Sequence, residues 1–124
     1  MEVRQYTLND YQMIAEWYIE RRMTPPKSEQ LPVIGFVVDG TAAGFLYNAD
    51  GKLALLEGYI ASPRSSAYLR DVALDLITEN LINAAKKLGV NKIFAASSLR
   101  AIQRRAEVHG FKGRPTMFLV KELE

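Results

Sequence analysis

Lys52-Leu-Ala-Leu-Leu-Glu-Gly-Tyr-Ile-Ala61 is an apolar run that a single carboxylate, Glu57, interrupts. A run this apolar predicts a strand buried on both faces. Ionising a carboxylate away from water is costly, and burial without a partner raises a carboxyl pKa toward the range in which the group accepts protons near neutrality. Glu57 is therefore a candidate general base. The alternative is that the strand twists or lies near an edge, so that Glu57 reaches solvent or an arginine.

The composition indicates one compact domain over residues 1–124. The chain has 124 residues, of which 48% are hydrophobic and 24% charged. No apolar run approaches the roughly 20 residues that cross a bilayer, and the N-terminus lacks the basic-then-apolar pattern of a signal peptide. We therefore expect a cytoplasmic protein without membrane contact.

The residue types exclude several kinds of chemistry. The chain contains no cysteine and one histidine, His109, which argues against disulfides, a metal site and a serine-histidine triad. The net charge of +2 does not point to nucleic acid, although residues 103–114 are locally basic. Catalysis would have to use carboxylates, hydroxyls, tyrosines or the backbone.

The first half of the chain predicts a strand, a helix and an antiparallel meander. Glu2 to Tyr6 forms the strand, Thr7-Leu-Asn-Asp10 resembles a capped helix start, and residues 24–30 form a proline-bearing loop. Strands then follow at Val33 to Val38, Thr41 to Tyr47 and 52–61, with Asp39-Gly40 and Asp50-Gly51 at the turns.

The second half predicts a long helix between Ser66 and Leu88, because its apolar residues recur at spacings of three and four. Gly89 supplies the left-handed cap. Val90 to Ala96 is rich in β-forming residues, Ser97-Ser98 can cap a further helix through Val108, and Thr116 to Lys121 predicts a last strand. The order is strand, helix, three strands, helix, strand, helix, strand.

This order, together with particular motifs, resembles the GNAT superfamily of N-acetyltransferases over essentially the whole chain. The motifs are Pro32-Val-Ile-Gly-Phe-Val-Val38, Ala43-Gly44-Phe45, Ala85-Lys-Lys-Leu-Gly-Val90 and His109-Gly110-Phe111. Small divergent members from phage and bacterial genomes look most similar. The resemblance implies an α/β (α+β) fold with a mixed, mainly antiparallel sheet flanked by helices, and acetyl-CoA as cofactor.

The resemblance also implies roles for the fourth strand and for the start of the long helix. In this family the fourth strand commonly carries the general base, here Glu57, and Gly58 permits a bulge. By analogy, Ile60 and Ala61 would bind the pantetheine arm. The phosphate loop matches one of two segments: Arg70-Asp-Val-Ala-Leu-Asp75, with Arg70, Val72 and Ala73 as binding residues, or Arg64-Ser-Ser-Ala-Tyr-Leu69, which demands a longer helix. Neither segment contains glycine, and Asp71 or Asp75 would repel phosphates.

The general acid has no clear candidate. The family often places a tyrosine where this chain has Ala106. Water, Ser97, Ser98 or Tyr59 could substitute, and in a regular strand Tyr59 would share a face with Glu57. The alternative for Tyr59 is a core tyrosine with a satisfied hydroxyl, and His109 suits the carbonyls at a helix end.

The basic residues of the late helix and the following turn allow three interpretations. They form a solvated surface, they bind the phosphates of coenzyme A, with Arg104 as the candidate, or they contact nucleic acid, which is the least favoured. Trp17 and Tyr18 are expected in the core and at its rim.

These observations favour acetyl-CoA-dependent acetylation of a primary amine on a small molecule or a protein. The alternative is a catalytically degenerate GNAT-fold protein that binds a partner, which the glycine-free loop and the missing tyrosine would suit. The acceptor and the oligomeric state stay open, with a homodimer among the options.

Overall fold

A five-stranded sheet forms the centre of the computed structural model, which describes residues 1–97 and 99–123. The strands lie in sequence order: β1 (Arg4–Gln5), β2 (Gly35–Val38), β3 (Ala42–Ala49), β4 (Leu53–Ala61) and β5 (Lys92–Phe94). Strands β1 to β4 are antiparallel to their neighbours, whereas β5 runs parallel to β4. The predicted mixed, mainly antiparallel sheet with flanking helices is confirmed.

Helices α1 (Tyr11–Glu20) and α2 (Ala67–Lys87) cover opposite faces of this sheet. Strand side chains alternate between the two faces, so each strand supplies both layers. Trp17 and Ile14 of α1 pack with Phe45, whereas Ile77 and Leu81 of α2 pack with Leu46. Each such fully buried side chain contributes about 1.5–3 kcal/mol. The predicted core position of Trp17 is confirmed.

A third helix, α3 (Arg100–Val108), buries none of its described residues and is held to α2 by charge. Arg105 Nη2 lies 2.5 Å from Asp71 Oδ1, and His109 Nε2 lies 3.2 Å from Asp75 Oδ1. After Gly110, at φ 89°, Phe111 packs against the α2 layer. The chain reversal at Gly110 therefore anchors a helix that has little core of its own.

The predicted last strand, Thr116 to Lys121, is wrong. Residues 112–123 are exposed, and this segment pairs with none of the described strands. Strand propensity reflects packing on a pleated surface, and a strand requires a partner for its backbone groups. Residues 116–121 have the propensity, but none of the described strands is their partner. The remaining predicted elements are confirmed, with β1, β2 and β5 shorter than expected.

Strand β4 contains a bulge at Gly58. Ala43 pairs with Ile60, but Phe45 pairs with Glu57, so β4 carries one extra residue between these pairs. Gly58 adopts φ 70°, which is a left-handed conformation that side chains disfavour. The predicted role of Gly58 as a bulge residue is confirmed. The bulge shifts the alternation of β4, so residues on its two sides no longer follow the same facing rule.

We expect Gly58→Ala to destabilise the protein more than Gly40→Ala. Both glycines have φ near 70°, and a left-handed L-residue costs about 1–2 kcal/mol. A Cβ at Gly58 would lie 3.1 Å from Phe45 Cδ2, whereas a Cβ at Gly40 would have nothing within 4 Å. Urea unfolding of the two variants measures the difference. Equal losses of unfolding free energy in the two variants would show that the Phe45 ring moves aside without an energetic cost.

Arg4 ties the first strand to the start of α1 and to the β2–β3 turn. Its guanidinium donates to both carboxylate oxygens of Asp10, at 2.5 and 2.9 Å, and to both of Asp39, at 2.6 and 3.0 Å. Asp10 also accepts the Thr7 amide at 2.8 Å, which is one half of the predicted capping box. Bonding to Arg4, then to Thr7, holds the Asp10 pKa below its ordinary value.

Replacing Asp10 by Asn should destabilise the fold by about 1.5–3 kcal/mol at pH 7, because a largely buried acceptor of charged hydrogen bonds is lost. Asp39→Asn is the matched control: it shares Arg4, but its side chain is 70% exposed against 8% for Asp10, so its loss should stay below about 1 kcal/mol.

The Asp10 effect should depend on pH in one direction. A carboxyl group whose folded pKa is lowered stabilises the fold above its unfolded pKa, about 3.9, and loses that stabilisation as pH falls through the folded value. The difference between wild type and Asp10→Asn should therefore shrink below about pH 4. Urea unfolding between pH 7 and pH 3 checks this, and a constant difference would contradict it.

Candidate functional site

The second half of β4 has none of the described strands on its outer side. Strand β5 pairs with β4 only at Leu53, Ala54 and Leu55, where their partners are Lys92, Ile93 and Phe94. Beyond Leu55 the two strands separate, and the segment 56–61 keeps only its β3 partner. Backbone groups along this side of β4 can therefore bind a ligand, as an edge strand does.

Glu57 lies at the point where the two strands separate. It is half-buried and faces the α1 layer, because its partner Phe45 belongs to that layer. Its Oε1 accepts the Gly58 amide at 3.2 Å. Across residues 1–97 and 99–123, no lysine or arginine forms an ion pair with this carboxylate. The arginine-paired alternative considered for Glu57 therefore has no support among the described residues.

Two tyrosines neighbour the Glu57 carboxylate. Burial, followed by the charges of Tyr47 and Glu57, raises the pKa of Tyr18 to about 12. Burial and then Glu57 also raise the pKa of Tyr47. Both phenols stay protonated at neutral pH, so they are neutral hydrogen-bonding groups beside a carboxylate. Sequence reasoning missed Tyr47, whose only signal was its alternation with Phe45 on β3.

The loop 24–30 borders this side of the site through two tyrosine hydroxyls. Tyr47 donates to the Gln30 carbonyl at 3.1 Å, and Tyr11 donates to the Pro26 carbonyl at 2.7 Å. The loop is thus attached both to α1 and to the strand opposite Glu57.

Tyr59 lies on the opposite face from Glu57, and the expectation of a shared face is wrong because of the bulge at Gly58. Its ring packs in the α2 layer, and its hydroxyl is 2.8 Å from Thr78 Oγ1. Thr78 gives its own proton to the Leu74 carbonyl at 2.8 Å, so Tyr59 must be the donor to Thr78. Burial raises the Tyr59 pKa to about 12, against smaller opposing effects of Thr78 and Arg105. These contacts favour the core role for Tyr59, and its catalytic role stays a prediction.

The start of α2 distinguishes the two registers for a phosphate loop. The helix begins at Ala67, and Ser66 Oγ accepts the Leu69 amide at 3.2 Å, so Arg64-Ser-Ser-Ala-Tyr-Leu69 spans the loop and first turn. The longer helix that this register demanded is present.

The other register places its residues inside the helix. Ala73 is fully buried in the α2 layer, and Val72 also follows the first intrahelical bond, from the Arg70 amide to the Ser66 carbonyl. Amides at such positions bond within the helix and are not free for phosphates. The Arg70 guanidinium donates to the Ser65 carbonyl and so supports the loop. As backbone ligands, Ala67 and Tyr68 fit better than Val72 and Ala73.

The acids near this helix start are neutralised by a residue that sequence reasoning did not single out. Arg105 pairs with Asp71 at 2.5 Å and with Asp75 at 3.5 Å. The predicted repulsion of phosphates by these aspartates is thereby reduced. Arg104 is exposed on α3 beside Arg105. Ser97 Oγ accepts the Leu99 amide at 3.1 Å, and Ser98 lies outside the described residues.

Ile60 and Ala61 lie at the open end of β4, as expected for an arm-binding segment. The Ala61 carbonyl, however, already accepts Arg21 Nε at 2.8 Å. Arg64 also approaches Glu20, with 3.4 Å between Arg64 Nη1 and Glu20 Oε1. The end of α1 is therefore attached to the loop that precedes α2, and Arg21 places a guanidinium at the cleft.

The described residues contain neither a metal-binding cluster nor a membrane-spanning helix. No group of three or more histidine, aspartate or glutamate side chains in the described part of the chain could hold a metal ion. No described helix is both long and apolar enough to cross a membrane.

Comparison with known proteins identifies the fold. No protein-family model matches the sequence, and no curated protein matches it. Solved structures do match along nearly the whole chain: Rv2747 from Mycobacterium tuberculosis in complex with CoA has a TM-score of 0.74 at 14% identity and is matched over 94% of this chain and 76% of that one.

Two further structures agree with the first. Glucosamine-6-phosphate N-acetyltransferase from Arabidopsis thaliana has a TM-score of 0.68 at 13% identity, over 99% and 98% of the two chains. A predicted acetyltransferase from Clostridium acetobutylicum with acetyl-CoA has a TM-score of 0.67 at 11% identity, over 97% and 95%. The chain has the GNAT fold.

Proposed function

We propose that this protein is an acetyl-CoA-dependent N-acetyltransferase that acts on a primary amine of a small molecule or a protein. The observation that carries the proposal is the position of Glu57, where β4 and β5 separate. The carboxylate faces the α1 side, and the open strand leads toward the start of α2. An amine and a cofactor can thus approach one point from two directions.

Several features of the described residues fit coenzyme A. The open backbone of 56–61 suits an extended arm, and the first-turn amides of Ala67 and Tyr68 suit phosphate oxygens. The pairing of Arg105 with Asp71 reduces the negative charge beside that helix start. Similar folds bind CoA in the Mycobacterium tuberculosis structure and acetyl-CoA in the Clostridium acetobutylicum structure.

The chemistry assigned to this chain is proton removal and orientation. Acetyl-CoA supplies a thioester whose carbonyl carbon forms the new bond to nitrogen as its bond to sulfur breaks. An alkylammonium has no free electron pair, so Glu57 must first take a proton from it, directly or through a water. The neighbouring Tyr18 and Tyr47 hydroxyls can orient the amine by hydrogen bonding. Water remains the candidate proton donor to the departing sulfur.

Coenzyme A should raise the melting temperature, because a ligand that binds only the native state stabilises it. Arg104→Glu should fold normally but reduce this shift, most clearly at low salt, if Arg104 attracts the phosphates. Lys86→Glu is the control, with the same charge change near the far end of α2. Calorimetric titration gives the affinities. If millimolar CoA produces no binding heat and no thermal shift, the proposal is contradicted and the non-enzymatic binding protein is favoured.

Glu57→Gln should lower the rate of amine acetylation by roughly 10²–10⁴-fold, because the amide keeps the volume but cannot accept the proton. The CoA-induced thermal shift should persist, since Glu57 is assigned to the amine. Glu79→Gln, on the exposed side of α2, is the matched control. Thiol release from acetyl-CoA measures the rate. Wild-type activity in Glu57→Gln would remove Glu57 from the mechanism.

A further inference from the structure

An apolar hollow of about 280 Å³ lies at the hairpin end of β4, on the side away from its open part, and its nearest wall on β4, Leu55, is two residues from Glu57. Its walls come from the β3–β4 hairpin and the end of β5 and include Tyr47, Leu53, Ala54, Leu55 and Phe94. Phe94 is 51% exposed, although it is aromatic and belongs to a strand. Exposed apolar surface in a concavity is typical of a binding site.

The register shows that this hollow and Glu57 share one face of the sheet. Tyr47 pairs with Leu55, and Leu55 pairs with Phe94, so these three side chains project to the same side. Leu55 and Glu57 are two residues apart before the bulge and therefore also point to that side. The distance between them along the strand is about 7 Å, and Leu53 lies about 7 Å further.

The position of the open strand decides which part of a bound molecule would enter the hollow. The segment proposed for the cofactor starts where β5 ends and runs toward α2, whereas the hollow extends from Glu57 in the opposite direction. An amine at Glu57 must direct its nitrogen toward the cofactor segment. The substituent on that nitrogen is then directed away from the cofactor, along Leu55 and Phe94.

The charges around the hollow select among amines. Glu57 is the only charged residue of β4, and it lies on the same face as the hollow. Lys92 pairs with Leu53 and so lies at the far end of the hollow. Lys52 and Asp50 in the adjoining turn offset each other. A second ammonium group would lie against apolar side chains and approach Lys92, which costs desolvation and repulsion.

We infer that the acceptor is a primary monoamine with an apolar substituent of roughly six to eleven carbon atoms, alkyl or arylalkyl, rather than a polyamine. The length follows from the 7–14 Å between Glu57 and the far wall, at about 1.25 Å per carbon along an extended chain. This inference rests on the proposed transfer to an amine and names the class of that amine.

The test compares hexylamine with 1,5-diaminopentane, which has the same number of heavy atoms but a second ammonium in place of the terminal methyl group. We expect kcat/KM for hexylamine to exceed that for the diamine by at least about tenfold, measured as thiol release from acetyl-CoA. Leu55→Glu should reverse the preference by placing a carboxylate next to the second ammonium. Equal values, or a preference for the diamine, in an active wild-type enzyme would overturn the inference and leave the proposed function standing.

Phe94→Ala provides a second variant in case Leu55→Glu does not fold. Truncation of this exposed ring should reduce kcat/KM for hexylamine by about tenfold and leave the diamine nearly unchanged. Val33→Ala is the control, since Val33 is 92% exposed outside the hollow. An unchanged hexylamine preference in Phe94→Ala would contradict the assignment of the hollow.

Direct binding separates this inference from the proposed function. An NMR titration would follow the Tyr47 and Phe94 ring signals with hexylamine, with and without CoA. Saturable hexylamine binding that Phe94→Ala weakens, in a protein that acetylates no amine, would support the apolar site and refute the transferase. Absence of both binding and acetylation would overturn both. A dimer that Phe94→Ala dissociates, without amine binding, would show a second copy in the hollow and overturn the inference.

Discussion

The left-handed bulge at Gly58 is the constraint on which the arrangement of the site depends. One extra residue in β4 changes which face each side chain meets, so Glu57 faces α1 and Tyr59 faces α2. Without it, period-two alternation would place both groups in one layer. The carboxylate consequently lies among tyrosines beside a loop, whereas the tyrosine hydroxyl is used to satisfy Thr78 inside the core. A single backbone conformation thus places Glu57 and Tyr59 in different layers.

Arginine–aspartate contacts attach the peripheral elements that the apolar core does not hold. Arg4 joins β1, the start of α1 and the first hairpin turn through two aspartates, and Arg105 holds α3 on α2 through two more. Guanidinium groups suit this role because their planar donors match carboxylate geometry. The pairing of Arg105 has a second consequence, because it neutralises acids at the helix start where phosphates would bind. Asp71 and Asp75 make the segment look unfavourable for phosphate in the sequence, but their pairing with Arg105 in the folded chain reduces that effect.

The glycine-free helix start need not prevent anion binding. Backbone amides at a helix N-terminus donate whatever side chains they carry, and glycine mainly allows closer approach. The helix beginning at Ala67 leaves Ala67 and Tyr68 at that end, and Ser66 occupies the capping position. Two arginines also lie by the loop that precedes this helix start, since Arg64 belongs to the loop and Arg21 donates to the Ala61 carbonyl before it.

The order of the elements through the third helix, the two turns with glycine, the long helix and the bulge at Gly58 were predictable from the sequence, because periodicity and backbone preference are local properties. The same local preferences predicted a strand at Thr116 to Lys121, a segment that pairs with none of the strands the structure describes. Sequence also could not choose between the two candidate phosphate-loop segments, because the choice depends on the residue at which α2 begins, and helix ends are the least certain part of a helix prediction.

The face on which Tyr59 lies, the pairing of Arg105, the tyrosines around Glu57 and the apolar hollow were decided only by tertiary structure. Each depends on residues distant in the chain: Thr78 for Tyr59, Asp71 for Arg105, and Phe94 for the hollow. The local sequence determines the chemical groups and backbone preferences of each residue, but strand pairing and register determine which distant residues its side chain contacts.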